Sequence, residues 1–342
     1  MVTIKDIARA LGVSPSTVTR ALAGNTRISA ETIRRVRERA EAMGYVADSS
    51  ARAMQSGTSA LVGLLMPDIQ NNFYATMARA AAGHCRRQGF QLVLSITEDD
   101  PQLEEAQIRA LVGARCAGTL IVPTARMSST SQRLLSGVPK VQLIRRSGTL
   151  QASGFGFDDR KALATACGLL LDLGHRRIGL LVGNDDLDTA QARRAGYLDA
   201  YEARGIEPDA KLIRPGSPRS GHGREATAEL LRGPDTPTAI IAAGAALTDG
   251  MLDAIAGLPR EAHAGVSLLG FGDNPAFGWW QGGGLTTISL PLENIVTAAC
   301  ERLFESTADR SVDSNAHGFT VLETGLILRG STRPMAAQSA PS

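Results

Sequence analysis

The chain has 342 residues, 36 Lys and Arg against 34 Asp and Glu, and is 43 % apolar and 20 % charged. That is enough for two or three hydrophobic cores and too apolar for intrinsic disorder. The start, Met1-Val-Thr-Ile-Lys-Asp-Ile7, lacks the apolar core of a signal peptide, and no later run reaches membrane-spanning length, so a cytoplasmic protein is expected.

Charge is unevenly spread. Residues 1–57 carry nine Lys/Arg against five Asp/Glu, while the remainder carries 27 against 29. A basic head on a slightly acidic body points to a polyanion met by the head alone.

Three short helices are predicted in that head. Ile4, Ile7, Ala8 and Leu11 share one helical face, with Thr3 as N-cap and Asp6 as its capping-box partner. After a turn at Gly12-Val13, Ser14 caps a second helix with Pro15 at its first position, where a missing N–H costs nothing. Ser29 starts a third, carrying Ile33, Val36, Ala40 and Met43 and ended by Gly44. Two helices around a glycine turn with a third in support form a helix-turn-helix. The outer face of the second carries Ser16, Thr17 and Arg20, side chains suited to phosphates and base edges. By pattern alone, a three-helix bundle for protein contacts fits equally well.

Residues 46–59 are small and polar, a linker in which Ser49 to Gln55 has room for two helical turns. From Ala60 onward, apolar runs (Leu61–Met66, Gln91–Ile96, Thr119–Val122, Lys140–Ile144, Ile178–Val182, Ala239–Ala243, Val266–Gly270) read as buried strands. Amphipathic stretches such as Phe73–Gln88, Lys161–Leu173 and Ala190–Arg204 read as helices. Such alternation predicts two doubly wound parallel α/β sheets with ligand at the strands' C-terminal ends.

Thr3-Ile-Lys-Asp-Ile-Ala-Arg-Ala-Leu-Gly-Val-Ser-Pro-Ser-Thr-Val-Thr-Arg-Ala-Leu22, with Ile28-Ser29 and Met43-Gly-Tyr45, closely resembles the headpiece of the lactose/galactose repressor family. Looser landmarks follow: Pro67-Asp-Ile-Gln-Asn-Asn-Phe-Tyr74, Leu173-Gly-His-Arg-Arg-Ile178, Arg193-Arg-Ala-Gly-Tyr197, Gly270-Phe-Gly-Asp273, Leu285-Thr-Thr-Ile288 and Leu326-Ile-Leu-Arg-Gly-Ser331. The resemblance implies a headpiece over 1–46, a hinge helix or linker over 47–59, a two-lobed periplasmic-binding-protein-like domain over 60–332, and a disordered tail over 333–342. Lobe 1 would span 60–159 and 291–322 and lobe 2 160–290 and 323–332, with crossings near Asp159, Leu290 and Leu322.

It further implies that Thr3, Ser14, Pro15, Ser16, Thr17, Arg20 and Arg27 meet DNA, with Pro15 and Ser16 at operator-dependent positions. Ser50 and Met54 would do so from the hinge, Met54 as a minor-groove wedge. Phe73, Tyr74, Arg145, Arg193, Gly244, Gly272 and Asp273 fall at effector positions. Arg193 alternatively reads as a surface charge and the two rings as core residues. Trp279-Trp280 either rims the cleft or packs at an interface. Where relatives carry carboxylates or amides, this chain has Gly272, Gly244-Ala245 and Arg145, so unmatched arginines and an anionic effector, a sugar acid or sugar phosphate, are expected; alternatively Arg145 pairs with a local Asp, or the cleft is vestigial.

The function so implied is a homodimeric transcriptional regulator, a repressor more readily than an activator, on a palindromic operator and controlled by a small molecule in the cleft. It would be nucleoid-associated when bound. The alternatives are a solute-binding protein without a DNA role, or an activator sensing a neutral sugar. No nucleophile elbow, P-loop, dinucleotide loop or zinc-protease motif occurs, and five scattered histidines make no constellation, so neither catalysis nor a cofactor is expected. The scattered Cys85, Cys116, Cys167 and Cys300 suit buried thiols rather than a disulfide or a metal site.

Overall fold

The computed structural model describes residues 2–45, 58–232, 235–308 and 318–335, in two units divided between Ser59 and Ala60. The hinge positions Ser50 and Met54, and the tail beyond Met335, lie outside the described residues.

The first unit is three helices: α1 (Ile4–Leu11), α2 (Pro15–Leu22) and α3 (Ala30–Ala42). Each starts where a hydroxyl satisfies a free backbone N–H. Thr3 and Asp6 form a reciprocal capping box, Ser14 Oγ accepts from Thr17 N at 3.1 Å, and Ser29 Oγ accepts from Thr32 N at 3.3 Å. Gly12, at φ 67°, ends α1 in the left-handed region that glycine enters freely. Ile7, Ala8, Val18, Ala21, Val36 and Ala40 close the core, one stripe per helix.

The second unit holds two six-stranded sheets. The chain first makes β1 (Leu61–Met66), α4 (Asn72–Arg87), β2 (Gln91–Ile96), α5 (Pro101–Gly113), β3 (Gly118–Ile121), α6 (Ser129–Leu135), β4 (Lys140–Leu143) and β5 (Gly154–Phe157). It then passes to the other lobe for α7 (Asp159–Asp172), β6 (Ile178–Gly183), α8 (Asp188–Glu202), β7 (Ile213–Gly216), α9 (Ser220–Arg232) and β8 (Ala239–Ala242). There follow α10 (Ala245–Gly257), α11 (Arg260–His263), β9 (Ser267–Phe271) and β10 (Thr286–Ser289). The helix α12 (Leu292–Ala308) returns to pack on β3, β4 and β5, β11 (Phe319–Leu322) joins the first sheet, and β12 (Gly325–Ile327) joins the second.

The sheet orders are β11-β5-β4-β3-β1-β2 and β12-β10-β9-β8-β6-β7. All pairings are parallel except β12, which runs antiparallel to β10 with Ile288 opposite Leu326; the expected pair of parallel sheets is corrected at that edge. β12 enters the second sheet at its edge, two residues after β11 has left the first. Central strands β6 and β8 are buried along their whole length, as strands covered on both faces must be.

The Gly154/Gly156 pair is a strand feature. A Cβ at Gly154 would come within 2.3 Å of the Phe319 ring, so β5 is bare to let that ring lie across it. No described helix is long and apolar enough to cross a membrane.

Candidate functional site

In the first unit, burial of Val18 and Ala21 on the inner side of α2 turns Ser16 and Arg20 out to solvent. Ser14, Pro15 and Arg27 are exposed as well, and Thr17 is half-buried. The hydroxyls at the start of α2 are linked: Ser14 Oγ lies 2.8 Å from Ser16 Oγ and 2.8 Å from Thr17 Oγ1. Thr3 is exposed at the start of α1, and the loop before Arg27 is tied by Arg27 N donating to Asn25 Oδ1 at 2.9 Å. The outer face of α2 thus offers hydroxyls and one guanidinium with no carboxylate paired to them among the described residues, a surface that suits a polyanion.

In the second unit, a cavity of about 590 Å³ opens at the C-terminal ends of the strands of both sheets. That size suits a small organic ligand. Phe73, Tyr74, Arg145, Arg193 and Gly244 all line it. Phe73 and Tyr74 begin α4, where Asn71 Oδ1 accepts from Phe73 N at 3.0 Å, and the two rings meet edge to face with centroids 4.9 Å apart. They belong to the core and to the cavity wall at once. Burial raises the Tyr74 hydroxyl above its ordinary pKa.

Neither arginine is unmatched, and for Arg145 the alternative reading, a pair with a local Asp, is the one the structure shows. Arg145 is buried with its two terminal nitrogens on the Asp99 carboxylate, Nη2 to Oδ2 at 3.2 Å. Arg193 donates from Nε to Asp159 at 2.5 Å and from Nη1 to the Ala243 carbonyl at 2.9 Å, and its guanidinium lies 4.1 Å over the Phe271 ring. It is no surface charge. Gly196 allows this placement: a Cβ there would sit 2.0 Å from the Arg160 carbonyl, so only glycine lets α8 close on α7. Burial pushes Asp159 up to about 6 although Arg193 opposes it. Each of these two cations is thus answered by a carboxylate.

One further expectation is corrected, and one open choice is narrowed. Gly272 and Asp273 are not among the residues lining the cavity. Asp273 instead accepts from Arg329 at 2.7 and 3.1 Å and from Thr287 Oγ1 at 2.9 Å, a clasp on the second lobe. The Trp279-Trp280 pair does not rim the cavity either: Trp280 packs on the core of the second lobe and Trp279 is 92 % exposed.

Sequence reasoning missed Asp68, Glu98, Asp99, Arg219 and Asp249, all of which line the cavity. It also missed the contacts that join its two walls. Arg219 Nη2 donates to the Glu98 carbonyl at 2.9 Å, Arg146 N donates to Asp188 Oδ2 at 2.8 Å, and Arg126 lies 3.8 Å from Asp186. The available signal was the acidic runs 98–100 and 185–188 directly after strands, where cavity loops begin. Beneath the wall, buried Glu104 accepts from Thr124 N and Oγ1, each at 2.8 Å, and fixes the loop after β3.

Comparison with known proteins agrees with this division. Residues 3–48 match the family model for bacterial regulatory proteins of the lacI family, and residues 59–316 match periplasmic binding proteins and the sugar-binding domain of the LacI family. The transcriptional regulator GalR of Escherichia coli is 29 % identical over 306 residues, covering 88 % of each chain. The regulator MalR of Streptomyces coelicolor is 29 % identical over 338 residues, covering 96 % of each. A crystal structure of the lac repressor dimer bound to operator and an anti-inducer has a TM-score of 0.81 at 22 % identity, covering 97 % of this chain and 99 % of that one, a likeness of fold.

Proposed function

The chain belongs to the LacI family of bacterial regulatory proteins and is a DNA-binding transcriptional regulator with a sugar-binding type of effector domain; from that premise we propose how its own residues divide the work. The headpiece binds one half-site of a two-fold operator, with α2 in the major groove and Ser16, Thr17 and Arg20 toward base edges and phosphates. Thr3, Ser14, Pro15 and Arg27 border that contact, and a second copy of the chain takes the other half-site. The observation that carries this is the two-sided character of α2: Val18 and Ala21 are sealed inside while Ser16 and Arg20 are wholly outward.

The effector binds in the 590 Å³ cavity between the lobes. It shifts DNA affinity only by its differential affinity for two lobe arrangements. Phe73 and Tyr74 supply the apolar face, and Arg193 and Arg145, held by their carboxylates, supply fixed donors rather than free charge. This favours a neutral, hydroxyl-rich effector, the sugar class, over an acidic one. Repression relieved by such a molecule is the simplest outcome of the arrangement.

A gel shift with the full-length chain and DNA from upstream of its own gene tests the first half. A two-fold-symmetric duplex should compete at least about tenfold better than random duplex at moderate salt. Equal competition would remove the DNA role assigned to α2. Repeating the shift with neutral, amino and acidic sugars tests the second half.

A further inference from the structure

The charges lining the cavity do not cancel pairwise. Arg145 is answered by Asp99 and Arg193 by Asp159. What remains is Arg219, whose guanidinium among the described residues is bound to a carbonyl alone, against the carboxylates of Asp68, Glu98 and Asp249. Asp68 already accepts from Gln70 N at 2.8 Å. Glu98, on the first lobe, and Asp249, on the second, differ from it: among the described residues no hydrogen bond or ion pair reaches either carboxylate, and only Asp249 stands on a wall otherwise without polar side chains.

The position of Asp249 follows from helix geometry. The wall from β8 into α10 contributes Ala243, Gly244, Ala245, Ala246 and Asp249 to the cavity. Four of these have no polar side-chain atom. Asp249 stands four residues after Ala245, hence on the same face of α10 one turn deeper. It is the single polar group that this wall presents. Solvent still reaches it, yet the surrounding walls strip away enough water to raise its carboxyl above the ordinary carboxylate range, with no cation to oppose the shift. A carboxylate so placed is exposed and met by water, with no donor from the described residues.

We infer that Asp249 selects the effector, accepting hydrogen bonds from hydroxyl or ammonium groups of a neutral or amino-bearing polyol and turning acidic relatives away. This rests on the effector occupying the interlobe cavity. A carboxylate offers about four acceptor sites and no donor, so paired sugar hydroxyls or an ammonium satisfy it. A ligand carboxylate or phosphate at the same wall meets like charge with only Arg219 to offset it.

The test is a thermal-shift screen of the full chain with matched neutral, amino and acidic monosaccharides and disaccharides, followed by calorimetry on the best ligand. Neutral or amino members should raise the Tm and their acidic counterparts should not. Asp249→Asn keeps the shape and removes the charge, and should weaken binding about tenfold or more while leaving operator binding in place. Acidic members alone shifting the Tm, or no member of any class doing so, would overturn the assignment. Arg193→Ala is the control for the cavity itself. Binding lost in Arg193→Ala but held within about twofold in Asp249→Asn would leave the cavity as the effector site and sink Asp249. Binding indifferent to both would sink the cavity too.

Discussion

Arg145 and Asp99, 46 residues apart, close on each other inside the first lobe through two hydrogen bonds, with the arginine side chain 8 % and the aspartate 28 % exposed. The turn that aims the arginine is strained. Arg145 N donates to the Leu143 carbonyl at 2.6 Å across Ile144, a β-branched residue at φ 66°. On the other side, Glu98 and Asp99 both hold φ between 50° and 60°, at 52° and 59°. Strain of this kind gathers at functional sites, and here the ion pair holds two strained turns at one cavity wall. Removing Asp99 strands a buried guanidinium, whereas removing Arg145 leaves a carboxylate that water reaches. Asp99→Ala should therefore cost about 3 kcal/mol, the low end for a broken buried pair, and Arg145→Met distinctly less. Urea midpoints of the two variants decide it; equal losses would mean that the pair matters only as packing.

Much of the fold was written in local sequence and the cavity was written only in part. Caps at Thr3, Ser14 and Ser29 are three-residue signals, and runs such as Ile178–Val182 and Ala239–Ala243 are apolar enough to be strands in any context. Pattern did not single out β10, β11 and β12, nor β5, Gly-Phe-Gly-Phe, and β7, Ile-Arg-Pro-Gly; in the last two, glycines and a proline work against a strand. Both become strands through a neighbour: Phe319 across β5, and β6 beside β7. Likewise Phe73, Tyr74, Arg145, Arg193 and Gly244 were placed at the cavity from sequence. Their partners Asp99, Asp159 and Phe271 come from other elements, so a cation that looked free was already neutralised. Charge counted along a chain cannot show which charges meet.

Asp159, at the start of α7 where the chain enters the second lobe, contributes a pH dependence to this unit. Burial lifts its carboxyl from 3.8 to about 6, with Arg193 pulling the other way. Over that interval the native state holds a proton that the unfolded chain has lost, so this group's contribution to stability falls as pH rises from about 4 to about 6. Asp159→Asn cannot titrate. The urea midpoint of the wild type relative to Asp159→Asn should therefore decline between pH 4.5 and 7, in approximate terms, and then level. A difference flat across that range, or one that grows with pH, would contradict a raised carboxyl at this site.

In the headpiece, capping and contact separate by residue. Ser14 Oγ holds Thr17 N, so Ser14→Ala should cost about 1 kcal/mol of headpiece stability and weaken operator binding with it. Arg20 is exposed and makes no ion pair among the described residues, so Arg20→Ala should leave the thermal unfolding of residues 1–59 unchanged. It should nevertheless weaken operator binding by about 1–3 kcal/mol. If Arg20 meets a base, its loss relaxes preference at one operator position; if it meets a phosphate, the log–log salt slope drops by about 1. Full binding by Arg20→Ala would place the contact surface elsewhere.

The walls of the cavity are tied by backbone groups as well as charges, which gives a test of whether they open together. Arg146 N and the Glu98 carbonyl belong to loops of the first lobe; Asp188 and Arg219, which bind them at 2.8 and 2.9 Å, belong to the second. Asp188 opens α8, and its position there leaves the carboxylate free to reach across, since Leu187 at the cap offers no side-chain acceptor. If each bond were a local staple, deleting it would loosen only the loops it joins. Two bonds across one hinged cavity instead share a single opening motion, so losing either raises the open population seen by both. Hydrogen exchange should show this: Asp188→Ala should speed exchange about tenfold not only at 144–148 but also at 96–100 and 217–221, and Arg219→Ala should do the same in reverse. The Asp273–Arg329 clasp lies within the second lobe and away from the cavity, so exchange around it should stay unchanged in both variants and serves as the internal reference. Acceleration confined to the substituted contact would show two independent staples and no common motion for an effector to bias.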